Sequence, residues 1–356
     1  MFRLLRRFLR PYVWPFVAVL LLQLLQAMAA LFLPSLNASI IDEGVATGNT
    51  AIIWTLGGVM LAVSLVQIAG QIGATWFGAR AAMGFGRDVR SAIFDRALSF
   101  SAKEVNHFGA PTLITRNTND VQQVQMVVLM TATMIVSAPL MMIGGIVMAL
   151  REDVGLSWLI VVAVAVLAAI IGVLVSQMTP LFKSMQIRID TLNRVLREQI
   201  SGLRVIRAFV REPTESERFD RANHDLATTA TAVGRRMMTM FPSVFFVMNL
   251  SSVAVVWFGA FRIAEGHLQV GQLTAYLAYL AQILMSVMMA TMMLMIGPRA
   301  AVSAGRINEV LDTSSSVVPA EHPVTELARH GEVEFRDVSF AYPGAESPVL
   351  SDISFV

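Results

Sequence analysis

The chain contains few of the side chains that perform chemistry. Among its 356 residues there is no cysteine, the five histidines lie far apart, and Lys103 and Lys183 are the only lysines. No His-Glu-x-x-His pair is present, so a zinc hydrolase has no ligand set, and thiol catalysis and disulfides are excluded. A Gly-x-x-x-x-Gly-Lys-Ser/Thr phosphate loop is also missing, so this chain alone should neither bind nor hydrolyse a nucleoside triphosphate. We therefore predict no catalytic residue and no metal site.

The side chains that could bind a ligand lie in long apolar segments. Methionines recur at helical spacing between positions 285 and 295, and Phe241 and Phe245 share one helix face. Methionine adapts to many apolar shapes, which favours a binding surface, although ordinary helix packing or lipid contact gives the same stripe. The predicted lining of a substrate cavity is Phe241, Phe245, Met285, Met289 and Met292.

Several amides lie within the same segments. They include Gln23, Gln26, Gln67, Gln71 and Gln282. Hydrogen bonding between helices is their expected role, and substrate contact is the alternative.

Six stretches without Asp, Glu, Lys or Arg must position these residues. Each is at least 25 residues long, whereas a helix needs about 20 to cross a bilayer. Only helices satisfy the backbone of such long apolar stretches in lipid, so we predict an all-α membrane protein. The predicted membrane domain covers residues 11–298, with spans at about 12–41, 50–79, 121–150, 155–182, 237–261 and 268–298.

Basic residues are distributed unequally between the two sets of loops. The termini and the loops 80–120 and 183–236 carry 25 Lys and Arg, and the other loops carry only Arg151 and Arg262. By the positive-inside rule, both termini and both long loops are cytoplasmic in a multi-pass protein of the cell inner (plasma) membrane. The charge is a topology signal, so no nucleic acid partner is expected. Residues 1–10 place arginines opposite apolar residues, which predicts an elbow helix in the membrane interface.

The two long loops have helical periodicity and extend the spans as tall hairpins. Gly109 with Pro111 interrupts the first loop, and Pro213 interrupts the second. The hairpin tips are either solvated turns or docking points for a soluble domain. No ionisable residue lies in the middle of a span, which disfavours an ion-coupled transporter.

The C-terminal part differs in composition from the membrane domain. Residues 299–330 are predicted to form a linker, and residues 331–356 alternate like two strands around a turn. A hairpin this short cannot bury a core of its own. We expect that a soluble domain begins here and that the chain is a fragment of a longer protein.

Three motifs resemble those of ATP-binding cassette (ABC) exporters. Gly331 to Pro343, followed by Val349-Leu350 and Ile353-Ser354-Phe355, resembles the opening of the nucleotide-binding domain. Phe108 to Val121 resembles the first intracellular loop, and Glu198 to Glu217 resembles the second. The likeness covers nearly the whole chain in order and spacing, and the first loop from Gly109 to Asp120 most resembles that of the bacterial multidrug-type subfamily.

The resemblance implies a half-transporter with a type I exporter-like membrane domain and only the first strands of the nucleotide-binding domain. Such a subunit would move a hydrophobic or amphipathic substrate, such as a drug or lipid, out of the cytoplasm by alternating access. It would act as a homodimer or heterodimer, with ATP and Mg bound by the complete protein. The alternatives are a membrane sensor or scaffold that recruits a soluble partner, and an ion-coupled transporter.

The resemblance also assigns individual residues. Tyr342 would stack on adenine, in a site that this chain leaves incomplete. Short coupling helices are expected near Phe108 to Arg116 and Phe209 to Glu217. The implied coupling residues are Phe108, Gly109, Thr115, Arg116, Asn119, Asp120, Phe209, Arg211 and Glu212.

Overall fold

Long helices make up most of the protein. The computed structural model describes residues 1–318, 322–323, 331–342 and 345–356, apart from the side chains of residues 292–296. Within this part, six helical segments are long and apolar enough to cross a membrane. The predicted all-α membrane architecture is therefore confirmed.

The helices are numbered in chain order, with π-helical turns at three places. They are α1 (Phe2–Phe8), α2 (Val13–Ser39), α3 (Thr50–Leu98), α4 (Ala102–Phe108), α5 (Ala110–Thr115), α6 (Val121–Met130), α7 (Ser137–Glu152), α8 (Ser157–Ala208), α9 (Glu212–Ala264) and α10 (Val270–Asp312). A 3-10 turn covers Arg10–Tyr12, and the π-helical turns cover Ile40–Val45, Arg116–Asp120 and Thr131–Ile135.

Small residues allow α2 and α3 to pack closely. A Cβ added at Gly70 would lie 3.2 Å from the carbonyl oxygen of Leu22, and one added at Gly84 would overlap the Tyr12 ring. Ala74 and Ala81 are fully covered on the same helix. Close approach through small residues is the usual means of packing helices in a membrane.

Two apolar cores lie at different heights in the bundle. One joins α2 and α7–α10 and contains Tyr276, Tyr279 and Leu280. The other lies beside the arginine-rich loops and joins α1, α3, α4, α6 and the last turns of α10. We call the end of the bundle that contains this second core the arginine-rich end. Leu4 of the predicted elbow helix is fully buried there, so α1 packs on protein as well as facing outward.

Helix α10 does not end at residue 298, just before the predicted linker of residues 299–330. It continues to Asp312, because Ala300, Ala304 and Ile307 follow one another at helical spacing and are fully buried, the last two in the second core. Arg3 of α1 forms an ion pair of 3.0 Å with Asp312 at the end of this extension. The fall in hydropathy after residue 299 therefore marks the departure from lipid and not the end of the helix.

Helices α8 and α9 form a hairpin whose outer half is held by polar contacts. Arg188 and Asp225 lie 2.6 Å apart, and Arg218 and Glu198 lie 2.5 Å apart. Each helix of the hairpin also contains one internal proline, Pro180 in α8 and Pro242 in α9.

The C-terminal strands form a single antiparallel pair. Strand β1 (Phe335–Phe340) pairs with β2 (Leu350–Phe355), and Phe335 stacks on Phe355 with ring centroids 4.5 Å apart. Most of their side chains are exposed. Pro343 and Gly344 of the predicted turn lie outside the described residues.

Candidate functional site

A buried polar cluster at the arginine-rich end joins the first long loop to α10. Arg116 is 9% exposed, donates to the carbonyl oxygen of Arg306 at 2.9 Å, and pairs with Glu309 at 2.8 Å. Asp120 is 5% exposed, and its Oδ1 accepts a 2.7 Å hydrogen bond from Ser303. Buried charges need such partners, so these contacts fix the loop against α10. We call Arg116, Asp120, Ser303, Arg306 and Glu309 the loop–α10 cluster.

The local backbone explains how the loop presents these side chains. Gly109 adopts φ +75°, which a side chain disfavours, and it separates α4 from α5. The π-helical turn Arg116–Asp120 then follows, and both residues at its ends are buried. The Arg116 guanidinium carbon lies 4.9 Å from the centroid of the Phe108 ring, within cation–π range.

A capping box holds the start of α4. Ser101 donates to Glu104 at 2.6 Å through its hydroxyl and at 3.0 Å through its backbone N–H. The hydroxyl bond from Ser101, with further bonds from Ser316, lowers the pKa of Glu104 to about 2. Ser316 follows α10, so the segment beyond that helix also contacts the first loop.

The predicted coupling residues divide into buried and exposed groups. Phe108, Arg116 and Asp120 are buried, whereas Thr115 and Asn119 are exposed on the same loop. The expected helix from Phe108 to Arg116 is divided at Gly109 into α4 and α5.

The second predicted coupling helix is not present as a separate element. Helix α8 ends at Ala208, a turn follows, and α9 begins at Glu212. Val210 in that turn has φ +53°. The prediction of a separate helix here was wrong. Pro213 lies in the first turn of α9, where proline is tolerated, so residues from Glu212 onward belong to α9 itself. Phe209, Arg211 and Glu212 are all exposed at this tip.

A cavity of about 600 Å³ lies within the membrane part of the bundle. It is lined from α2, α3, the turn Thr131–Ile135, α7, α9 and α10. The lining residues are Gln26, Gln71, Thr133, Met134, Ser137, Ala138, Met141, Met248, Ala281, Gln282, Met285, Ser286 and Met289. Its size suits a drug-sized molecule, and its walls combine thioethers, amides and hydroxyls without any ionisable group.

One wall of this cavity is a π-helical turn that Gln23 supports. The Gln23 amide is 1% exposed and donates to the carbonyl oxygens of Ala132 at 2.6 Å and Thr133 at 3.1 Å. A π-helical turn disturbs the regular backbone ladder, so donors from a neighbouring helix stabilise it. Gln23 is thus a structural residue, as the default interpretation of the intramembrane amides predicted.

The predicted cavity residues are only partly brought together. Met285 and Met289 line the cavity, whereas Phe241 and Phe245 lie on α9 away from it and are each 48% exposed. The side chain of Met292 lies outside the described residues. Sequence reasoning missed the lining residues of the turn Thr131–Ile135, because nothing in the sequence distinguishes a π-helical turn from an α-helix.

Tyr342 lies two residues after the end of β1 and is 62% exposed. Its ring lies edge-on to Phe340, with centroids 5.0 Å apart. The hairpin supplies no other wall for an aromatic ligand within the described residues.

Comparisons with known proteins agree with this architecture. The family model described as the ABC transporter transmembrane region matches residues 16–287. An uncharacterized ABC transporter ATP-binding protein of Mycobacterium tuberculosis is 48% identical over 352 residues, which cover 99% of this chain and 60% of that protein.

Two relatives from Bacillus subtilis are more distant. An uncharacterized ABC transporter ATP-binding protein is 31% identical over 348 residues, which cover 98% of this chain and 60% of that protein. A probable multidrug resistance ABC transporter ATP-binding/permease protein is 26% identical over 268 residues, which cover 75% of this chain and 46% of that protein. The chain thus spans about 60% of the length of the relatives that match it over nearly all its residues.

Proposed function

Since this chain belongs to the family of ABC transporter transmembrane regions, we propose that it forms the membrane part of an ATP-driven exporter subunit. It moves a hydrophobic or amphipathic small molecule out of the cytoplasm by alternating access. The relative named as a multidrug resistance protein supports substrates of this kind.

The continuity of α10 is the observation that carries this proposal. Met285 and Met289 of this helix line the cavity, and Ser303 and Arg306 of the same helix belong to the loop–α10 cluster. The helix is continuous from Val270 to Asp312, although Pro298 removes one backbone hydrogen bond, so a displacement at one end reaches the other through the same element. Movement at the arginine-rich end therefore alters the wall of the cavity.

ATP is bound outside the membrane part, by a nucleotide-binding domain that requires a phosphate loop absent from this chain. In the complete protein, ATP with Mg binds there and Tyr342 stacks on the adenine. The exposed tip at Phe209, Arg211 and Glu212 and the exposed Thr115 and Asn119 are docking points for that domain. Buried Arg116 and Asp120 pass its movement to α10.

A second half-transporter subunit completes the translocation path, as a homodimer or heterodimer. The outer half of the α8–α9 hairpin leaves large apolar side chains exposed, among them Ile200 at 75% and Phe209 at 72%. These residues lie beyond the membrane by the charge distribution, where exposed apolar clusters mark protein contacts. The distribution of basic residues supports a cytoplasmic location for this end and for both termini, in a multi-pass protein of the plasma membrane.

ATP-driven uptake into inside-out vesicles tests the proposal. The chain is reconstituted as part of a subunit that carries a nucleotide-binding domain, with an uncharged dansyl amide as the probe. We expect uptake that requires ATP hydrolysis and that Asp120→Ala strongly reduces while hydrolysis continues, because this substitution breaks the contact with α10.

The control is Arg299→Gln, since Arg299 lies on α10, the helix that Asp120 contacts, but is exposed. If uptake without nucleotide under an imposed ion gradient equalled the ATP-driven uptake, the protein would instead be an ion-coupled transporter. Nucleotide-dependent recruitment of a soluble protein without any uptake would indicate the sensor or scaffold.

A further inference from the structure

Two glutamine side chains on adjacent helices belong to one wall of the cavity. Gln26 lies in the middle of α2, Gln71 lies on α3, and both line the cavity. Gly70 brings the two helices together here, because a Cβ added at Gly70 would lie only 3.4 Å from the Cβ of Gln26. Gln71 directly follows Gly70 in the sequence, so the two amides project from neighbouring points of the wall.

Both amides can still bind a ligand. Gln26 makes no side-chain hydrogen bond to the described residues, and its amide atoms stay accessible, whereas the Gln282 oxygen is closed off. Gln71 is exposed, and its Nε2 donates to the hydroxyl of Thr75 at 3.5 Å, which is long for a hydrogen bond. A second hydrogen on that nitrogen and the lone pairs of the Gln71 oxygen remain available. Neither amide thus joins helices in the way expected of intramembrane glutamines.

The hydroxyls of the lining cannot replace these amides as donors. Those of Thr133, Ser137 and Ser286 already donate to backbone carbonyl oxygens, at 2.9, 3.1 and 2.8 Å. A hydroxyl has one hydrogen to donate but two lone pairs, so these groups can accept from a ligand but not donate to it. Among the lining residues, donation to a ligand therefore falls to glutamine amides.

Formal charge is absent from the lining. Thirteen residues form the wall, and none of them is Asp, Glu, Lys, Arg or His. A cation or anion entering this cavity would lose its hydration without gaining a counter-charge. Ionised ligands are therefore disfavoured against neutral ligands of the same size.

From this arrangement we propose that the cavity binds uncharged apolar molecules that carry a carboxamide group, and that Gln26 and Gln71 recognise this group. A carboxamide has a donor and an acceptor side by side, which matches the donor and acceptor of a glutamine amide. A ketone or an ether can only accept, so it leaves the glutamine oxygens unpaired. The inference deepens the proposed transport function and rests on it for its biological meaning, but the binding preference is a property of the chain itself.

A matched ligand series tests the proposal directly. Four pyrene derivatives share one propyl chain and end in a primary amide, a methyl ketone, a carboxylate or a trimethylammonium. The ketone has the shape of the amide but lacks its N–H donors. Binding to the chain in nanodiscs is measured at pH 8 by pyrene fluorescence, and each affinity is corrected for partition into empty nanodiscs of the same lipid.

We expect the amide to bind about three- to tenfold tighter than the ketone, which is the usual range for one hydrogen bond. Both ions should bind more weakly than the amide by at least about tenfold, because the lining supplies no counter-charge.

Substitution by methionine locates the preference, since methionine resembles glutamine in length but has no amide. Gln26→Met and Gln71→Met should each reduce the advantage of the amide over the ketone, and the double variant should abolish it. Ketone binding should stay unchanged in all three variants, which shows that the cavity is intact. The control is Gln67→Met, because Gln67 lies one helical turn before Gln71 on α3 but does not line the cavity.

Equal binding of amide and ketone to the unsubstituted chain would overturn the proposal. So would an amide preference that survives in the double variant, or binding of either ion as tight as that of the amide. Failure of the transport function is distinguishable from these results. Selective binding without ATP-driven uptake would overturn the transport proposal alone, and ATP-driven uptake of all four ligands at one rate would overturn only the selectivity.

Discussion

Replacing Ile307 with alanine tests whether α10 continues beyond the membrane. Ile307 is fully buried in the core at the arginine-rich end, and Ile→Ala at such a site costs about 2–5 kcal/mol. Because each 1.36 kcal/mol is a tenfold change, the opening equilibrium of residues 299–312 should rise by at least about 30-fold. The increase cannot exceed the value set by the opening free energy of this segment in the unsubstituted chain, because a fully open segment cannot open further.

Hydrogen–deuterium exchange of the chain in nanodiscs measures this effect. Amides from residue 299 to Asp312 should exchange faster in Ile307→Ala, while those of the membrane part of α10 stay protected. Val302→Ala is the matched control on the same helix, because Val302 is 60% exposed and should change exchange little. If the unsubstituted chain already exchanged freely here, or if both variants behaved alike, the reasoning about the α10 extension would be refuted.

Three other predictions concern different parts of the fold. Gln23→Leu removes both donors to the turn Thr131–Ile135 and should destabilise the chain by about 1 kcal/mol, the upper part of the range for intramembrane hydrogen bonds, as measured by thermal unfolding in nanodiscs. Gly84→Ala should lower the unfolding temperature through overlap with Tyr12, and it should lower it much less in a Tyr12→Ala background, where the ring is gone; an equal effect in both backgrounds would contradict the packing. Glu104 should titrate near pH 2 by ¹³C NMR, and Ser101→Ala should raise that midpoint. Since its pKa is lowered on folding, the stabilisation from Glu104 is present above about pH 4.5 and is lost as the pH falls through about 2.

The membrane helices could be predicted because lipid imposes a simple rule on sequence. A charge-free stretch such as residues 50–79 has to be helical to satisfy its backbone, whatever its neighbours are. The limits of the same helices could not be read in this way. Residues 299–312 carry charges, and only their burial against α1 and α3 reveals that they continue α10.

The cavity could be predicted in composition but not in detail. Met285 and Met289 were predicted because a methionine stripe has helical spacing, and both line the cavity of the structure, while substrate binding by them stays a prediction. Phe241 and Phe245 show the same spacing on α9, yet they do not line this cavity and are 48% exposed, because helix rotation depends on packing between helices. The turn Thr131–Ile135 depends on Gln23, more than 100 positions away along the chain, so no local pattern could indicate it.

One internal proline in each helix makes the bending stiffness of the α8–α9 hairpin uneven. Pro180 and Pro242 each lack a backbone N–H, so the hydrogen-bond ladder is interrupted once in α8 and once in α9. Bending is therefore easiest at these two prolines. From Pro180 to Ala208 the arm of α8 measures about 42 Å, so a 5° flexure displaces its tip by about 4 Å. A small angular change at the bilayer boundary is thus enlarged, at the far end of the arm, to about the width of a methyl group.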